Sequence, residues 1–454
     1  MKFSFSRIAA LLLVLAMLWS FVGCSGSDAT LNGIDIDRYT IVYDENQPDY
    51  TLRAVEYIHS EILKRTGKEL PIRTAASGTY DHEILVGKTD RALSGDLISR
   101  TRNMEFYFKA DGNHIAMNGD YFIIAAAAYY FVQTYIPGET FQSTIPTDQI
   151  VVAKPITEKP NNYMFLIGDG MGFNQTLMFE HMQVDESIID YDGEDVFYGY
   201  YLPYQGQAVT TSLSGVTDSA AGATALACGY KTINGYVGRD KDLNDVQSLT
   251  ELAGSLGMAT AVISTDLQTG ATPAGFSAHA NDRDDSTDLL ECQLAMMEQY
   301  DTNILCNLNS TGAYEAYVSE VLEELELSEN GFFLMYEEGY IDKHCHSNLG
   351  DHTFACMVRF NQMIGMFMEY AFYHPDTFLL ITADHETGGL QFTADGDVQY
   401  TSTSHTGVDV PVFAYGQGAE VFENFEDQNT QIPKEIAAMW GVEDFGDPQQ
   451  YDFS

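Results

Sequence analysis

The chain has 454 residues, enough to bury one large core or two. With 45% hydrophobic and 19% charged residues, the composition is that of a folded globular protein, which excludes a disordered or collagen-like chain. Against 66 Asp plus Glu stand only 22 Lys plus Arg, a formal charge of -44, which argues against nucleic acid and acidic membrane surfaces as partners.

Residues 1–23 carry Lys2 and Arg7, then an apolar run from Ile8 to Val22. The run falls short of the roughly 20 residues a spanning helix needs, so it reads as a secretory signal ahead of an uncleaved anchor. Val22-Gly23-Cys24 resembles the box at which bacterial lipoproteins are cleaved. That resemblance implies an exported cell-envelope protein held to the membrane by a lipid on Cys24, with 24–34 as a linker. Phe21 replaces the usual Leu, so ordinary cleavage to a secreted product is the alternative.

Residues 35–157 predict a small α/β domain. Tyr39–Tyr43 and Glu83–Gly87 read as short strands. Leu52, Val55, Ile58, Ile62 and Leu63 recur at helical spacing ahead of Gly67. Phe106–Lys109 and His114–Met117 flank Asp111-Gly112, a hairpin signal, and an apolar helix spans Ile123–Tyr135. The pattern resembles the accessory domain ahead of some glycoside hydrolase barrels, and no catalytic motif lies in it. A spacer or docking role follows, with His59, His82 and His114 as ordinary surface or core side chains.

Val151–Pro160, with two prolines, marks a boundary at which the charge balance changes. From Cys24 to Pro160 there are 19 acids and 13 bases; from Asn161 onward there are 47 acids and 7 bases. Residues 161–454 therefore form a second, far more acidic domain. Of the cysteines after Cys24, Cys292 and Cys306 lie close enough in sequence to pair, and the odd total of five leaves at least one thiol free.

In this second domain, apolar strands repeatedly run into acids or histidines. Tyr163–Ile167 ends at Gly168-Asp169-Gly170, which places Asp169 at the carboxyl end of a strand, where open α/β sheets carry their sites. Asp218-Ser219 precedes a run of small residues, so Ser219 stands at a helix start that favours an anion; a plain N-cap role for either residue is the alternative. After the strand Thr260–Ser264 come Thr272, His279 and Arg283. Arg283 has the planar fork that suits two phosphate oxygens, or else it pairs with Asp282, Asp284 or Asp285. Phe332–Tyr336 leads into Glu337, Glu338, Asp342, Lys343 and His346, where Asp342 and His346 at i and i+4 can share one helix face. Phe378–Ala383 leads to Asp384-His385, and Ser404-His405 precedes the strand Val410–Tyr415. A mixed Asp/His set suits zinc, and oxygen-only positions suit magnesium.

These motifs, in this order from Asn162 to Gly441, resemble the alkaline phosphatase family. The resemblance implies an α/β three-layer sandwich of that type behind the small α/β domain. It further implies a phosphoric monoester hydrolase that works through a phosphoserine on Ser219, with Arg283 gripping the phosphoryl oxygens. Carried over by position, Asp342, His346 and His405 would hold one zinc, and Asp169, Asp384 and His385 a second. Thr272 and Glu337, with Asp169 bridging, would hold a magnesium. Lys343 falls near the phosphate and His279 behind the site. A small phosphomonoester is the implied substrate, and a homodimer is compatible with the family.

Two departures stand out. Gly270 replaces an acid or histidine expected two residues before Thr272, and Glu338 replaces a glycine, which makes it a second candidate for the ligand role of Glu337. The rival readings are a phosphodiesterase of the same superfamily and a noncatalytic glycan-binding surface lipoprotein.

Overall fold

The computed structural model describes residues 29–98, 104–147, 151–153, 157–182, 196–310, 314–394 and 396–448. Cys24 and the apolar segment before it lie outside the described residues.

The amino-terminal half is built on a six-stranded sheet in the order Ile72–Thr74, Thr40–Tyr43, Glu83–Val86, His114–Gly119, Phe106–Ala110, Val151–Ala153. Alternation sorts its two faces. Ile41, Ile84, Phe106, Phe108, Ile115 and Met117 point into the core formed with the helices Asp49–Thr66 and Ile123–Tyr135. Val42, Leu85, Tyr107 and Ala116 line the other face against Leu97. The first helix ends at Gly67, whose amide caps the Leu63 carbonyl at 2.9 Å.

One expectation is corrected at this end. Ala29–Leu31, inside the stretch read as a linker, is a strand paired in parallel with Phe141–Ser143. Ala29 and Leu31 are fully buried, so three residues of alternation are anchored by a partner more than 100 positions away.

The second half is built on an eight-stranded sheet: Asn303–Leu305, Ala259–Ser264, Phe332–Glu338, Asn162–Gly168, Thr377–Thr382, Val410–Tyr415, Tyr204–Val209, Glu426–Gln428. The first five run parallel, and Val410–Tyr415 is antiparallel to Thr377–Thr382. The central strands are apolar on both faces because both are covered. Tyr336 stacks on Phe360 and meets Phe367 of the long helix Gly350–Tyr373, whereas Phe333 meets Phe276 and Trp440 on the opposite side. This is the three-layer α/β sandwich.

The two halves meet on the outer side of the Gly350–Tyr373 helix. Tyr57 stacks on Tyr373 at 4.4 Å, Phe122 packs edge-on against Tyr198 at 4.7 Å, and Arg53 makes a bidentate contact with Glu369. Glu369 and Tyr373 lie in the last turns of a helix that leads into the start of the Thr377–Thr382 strand. The amino-terminal half therefore docks at the end of the sheet away from the carboxyl ends of the parallel strands.

Candidate metal and phosphoryl site

Four neighbouring parallel strands, Ala259–Ser264, Phe332–Glu338, Asn162–Gly168 and Thr377–Thr382, deliver their carboxyl ends to one place. Asp169 follows one of them, Glu337 is the last residue but one of another, and Asp384-His385 follow a third. Gly170 lets two of these segments meet closely: its φ is +78°, and a Cβ there would lie 2.8 Å from the Asp342 Cα.

The histidines are fixed by their other ring nitrogens. His346 Nδ1 donates to the Thr403 carbonyl at 2.7 Å and His405 Nδ1 to the Thr217 carbonyl at 2.8 Å, since a carbonyl can only accept. Both Nε2 atoms then face each other at 3.1 Å, with Asp342 Oδ1 at 3.3 and 3.5 Å. Thr387 orders the third ring: its hydroxyl donates to Asp342 Oδ1 at 2.5 Å and so accepts from His385 Nδ1 at 3.2 Å. His385 Nε2 is left open toward Asp384 Oδ2 at 3.2 Å and Asp169 Oδ1 at 3.6 Å. Ligand atoms of Asp342, His346 and His405 lie within 4.8 Å of one another, and so do those of Asp169, Asp342 and His385. Asp342 thus reaches both groups, whereas the sequence reading gave it to one.

Electrostatics point the same way. Burial raises Asp169 well above the usual carboxylate range, and Asp384, Asp342 and Glu337 add to the shift. Burial, with Asp266 beside it, pushes Glu337 up to about 8, and burial with Asp342 pushes Asp384 up to about 6. Burial would raise Asp342 too, but hydrogen bonds from His346 and His405 hold it well below its ordinary value. Burial and the neighbouring His405 push His385 far down, so its ring is neutral. Asp169 Oδ1, Asp384 Oδ2 and Thr272 Oγ1 are buried without a hydrogen-bond partner. Crowded acids, neutral imidazole and orphaned oxygens are what bound divalent cations would satisfy, so the residues fit a metal centre.

Ser219 begins the helix Ser219–Cys228, as the run of small residues predicts. Its Oγ lies 3.1 Å from His385 Nε2. Asp218 does cap the helix, accepting from the Ala221 amide at 3.0 Å, and its other oxygen receives Arg283 Nη1 at 3.3 Å. Arg283 is thereby aimed at the Ser219 end and is not paired with Asp282, Asp284 or Asp285. Lys343 is tied to Asp266.

The two glutamates separate cleanly. Glu337 turns inward and accepts from Ser264 Oγ, whereas Glu338 is held by the Arg359 guanidinium and by Thr265. Glu338 is thus excluded as the alternative ligand. His279 bonds the Gly238 carbonyl at 2.7 Å and Glu251 at 3.1 Å, a supporting position behind the site. Cys228, Cys292, Cys306, Cys345 and Cys356 are unpaired, so the Cys292–Cys306 bridge does not form. Sequence reading missed Thr387 and Asp266. The threonine directly after Asp384-His385-Glu386, and an acid two residues beyond the Ala259–Ser264 strand, were the available signals.

The family profile described as alkaline phosphatase matches residues 160–310 and 307–396. Alkaline phosphatase 3 of Bacillus subtilis (strain 168) is 26% identical over 291 residues, covering 52% of this chain and 63% of that protein. The chain therefore matches less than two thirds of the length of that relative. The solved alkaline phosphatase of the Antarctic bacterium TAB5 is 25% identical with a TM-score of 0.52, covering 63% of this chain and 99% of that one. A variant of the TAB5 enzyme with magnesium in its M3 site has 24% identity and a TM-score of 0.51, covering 65% of this chain and 100% of that one.

Proposed function

Because the chain belongs to the alkaline phosphatase family, we propose that it hydrolyses small phosphate monoesters through a phosphoserine on Ser219, releasing an alcohol and inorganic phosphate. The observation that carries this reading is the hydroxyl of Ser219 at a helix start, 3.1 Å from His385 Nε2 and flanked by an arginine that Asp218 aims.

In this reading Asp342, His346 and His405 would hold one zinc, Asp169, Asp384 and His385 a second, and Thr272 and Glu337, with Asp169, a magnesium. Ions bound there lower the pKa of an adjacent hydroxyl or water and offset charge on the phosphoryl oxygens. Ser219 Oγ attacks phosphorus in line, its proton passes to solvent, and the ester oxygen leaves with the electron pair of the broken P–O bond. Arg283 and the free amides at the start of the Ser219–Cys228 helix take the equatorial oxygens. Water then attacks the phosphoserine from the vacated side and regenerates the hydroxyl. Two in-line displacements retain configuration at phosphorus.

Acid-quenched mass spectrometry tests the reading. Substrate should place phosphate on Ser219, Ser219→Ala should abolish both the label and turnover, and a labelled Ser219→Ala protein would overturn it. Side-by-side turnover of a monoester, a diester and a sulfate ester should favour the monoester. The basic start, apolar run and Val22-Gly23-Cys24 support export and a lipid anchor on Cys24. Among the described residues, no helix is long and apolar enough to cross a membrane.

A further inference from the structure

We propose that Asp266, displaced four residues from the position where a carboxylate is missing, is the positioning residue of the third ion site, holding Lys343 and supplying the negative charge that Gly270 lacks. The inference rests on the phosphatase reading above. Its first support is space: a Cβ built on Gly270 would lie 2.6 Å from Asp266 Oδ2 and 2.9 Å from the Leu267 carbonyl oxygen, so the aspartate takes up much of the room that a side chain at 270 would need.

The second support is how Asp266 is held. It sits just past the Ala259–Ser264 strand, 9% exposed, and its amide is fixed: it donates to Ser264 Oγ at 2.8 Å, and Ser264 in turn donates to Glu337. Its carbonyl receives the Asn307 amide. Its carboxylate grips Lys343, the residue after Asp342, whose side chain remains 40% exposed. Glu337 and Asp266 thus lie beside a single ammonium, and it is Asp266 that pairs with it.

A third, independent sign is Thr272. It is 1% exposed, and its Oγ1 has no hydrogen-bond partner, at a point two residues beyond Gly270. A cation here would complete the oxygen set of Thr272 and Glu337, with Asp266 acting from behind through Lys343 and solvent. A carboxylate just past the Ala259–Ser264 strand thus stands beside the start of the helix Ala271–Gly275, and glycine at 270 leaves it the room.

The test moves the carboxylate back. Magnesium binding to zinc-loaded protein is measured by equilibrium dialysis, with zinc content as the internal control. The isosteric Asp266→Asn variant should bind magnesium about 10- to 100-fold more weakly and raise KM for a monoester, with zinc content unchanged. Gly270→Asp alone should also weaken binding, because the new side chain collides with Asp266 and crowds the Leu267 carbonyl oxygen. The double variant Asp266→Ala/Gly270→Asp should recover magnesium affinity to within a few-fold of the parent. Unchanged magnesium binding in Asp266→Asn would overturn the proposal, as would a folded double variant as weak as Asp266→Asn. Should the double variant not fold, Asp266→Asn decides alone. The parent protein's phosphoserine separates the two levels: its presence alongside a failed Asp266 test leaves the phosphatase reading standing, and its absence removes that reading itself.

Discussion

Thr387 shows how much of this site depends on one hydroxyl. By donating to Asp342 and accepting from His385 it sets both the charge of one group and the tautomer of the other. Thr387→Val keeps the volume and removes both contacts, so zinc affinity should fall about 10- to 100-fold in competition with a chelator, with little change in fold by circular dichroism. Glu338 offers a contrasting case. It is fully buried, and Arg359 neutralises it, so Arg359→Met leaves a buried charge unpaired and should cost about 3–5 kcal/mol in denaturant unfolding. Zinc content should survive that change, because Glu338 faces away from the ligand groups. The ligand candidates were legible as residues because most of them end or follow an apolar strand and His405 comes shortly before one, a pattern that local sequence displays. Thr387 and Asp266 were not, since their work lies in hydrogen bonds to segments 45 and 77 positions away.

At the scale of elements, the support behind the Ser219 helix includes a pair that couples to pH. Burial would lower His279, but the hydrogen bond and charge of Glu251 outweigh it and raise the imidazole above its ordinary value of 6.5. Glu251 is likewise opposed by burial, yet the same pairing lowers it below 4.5. The raised histidine contributes stability that is complete below pH 6.5 and lost as pH rises through its folded value. The lowered glutamate contributes stability present above 4.5 and lost as pH falls through its own. The stability gap between the parent and His279→Gln should therefore be widest between those limits, at about 1.5–3 kcal/mol, and should shrink on the alkaline side. Urea unfolding across pH 5 to 9 measures it; a gap that widens with pH would contradict the pairing. The strands and helices themselves follow from periodicity and capping, as with Asp218 ahead of Ser219–Cys228. The short Ala29–Leu31 strand escaped because three alternating residues carry too little pattern without their partner Phe141–Ser143.

For the whole molecule, the two sheets are joined by an aromatic seam distant from the strand ends that carry the site. Tyr57→Ala removes the stack on Tyr373 and should destabilise the protein by about 1–3 kcal/mol in thermal unfolding, with kcat/KM unchanged. An equal loss of activity would instead tie the amino-terminal half to catalysis. The proposed anchor is tested at the same scale: Cys24→Ser should release the protein from the membrane fraction and abolish incorporation of a labelled fatty acid. The acidity also acquires a structural context. Of the few bases in the acidic half, Arg283, Lys343 and Arg359 are each paired with a carboxylate at or beside the strand ends.

The α/β class, the strand-end positions of Asp169, Glu337 and Asp384, and Ser219 at a helix start are legible in the residues alone, because periodicity, caps and motif order are local properties. Which glutamate turns inward, that Arg283 answers to Asp218, that Asp342 reaches both ligand groups, and that Asp266 lies against Gly270 emerge only from the folded chain. Each of those outcomes depends on distances between segments far apart in the chain, and such distances exist only once the strands are in register.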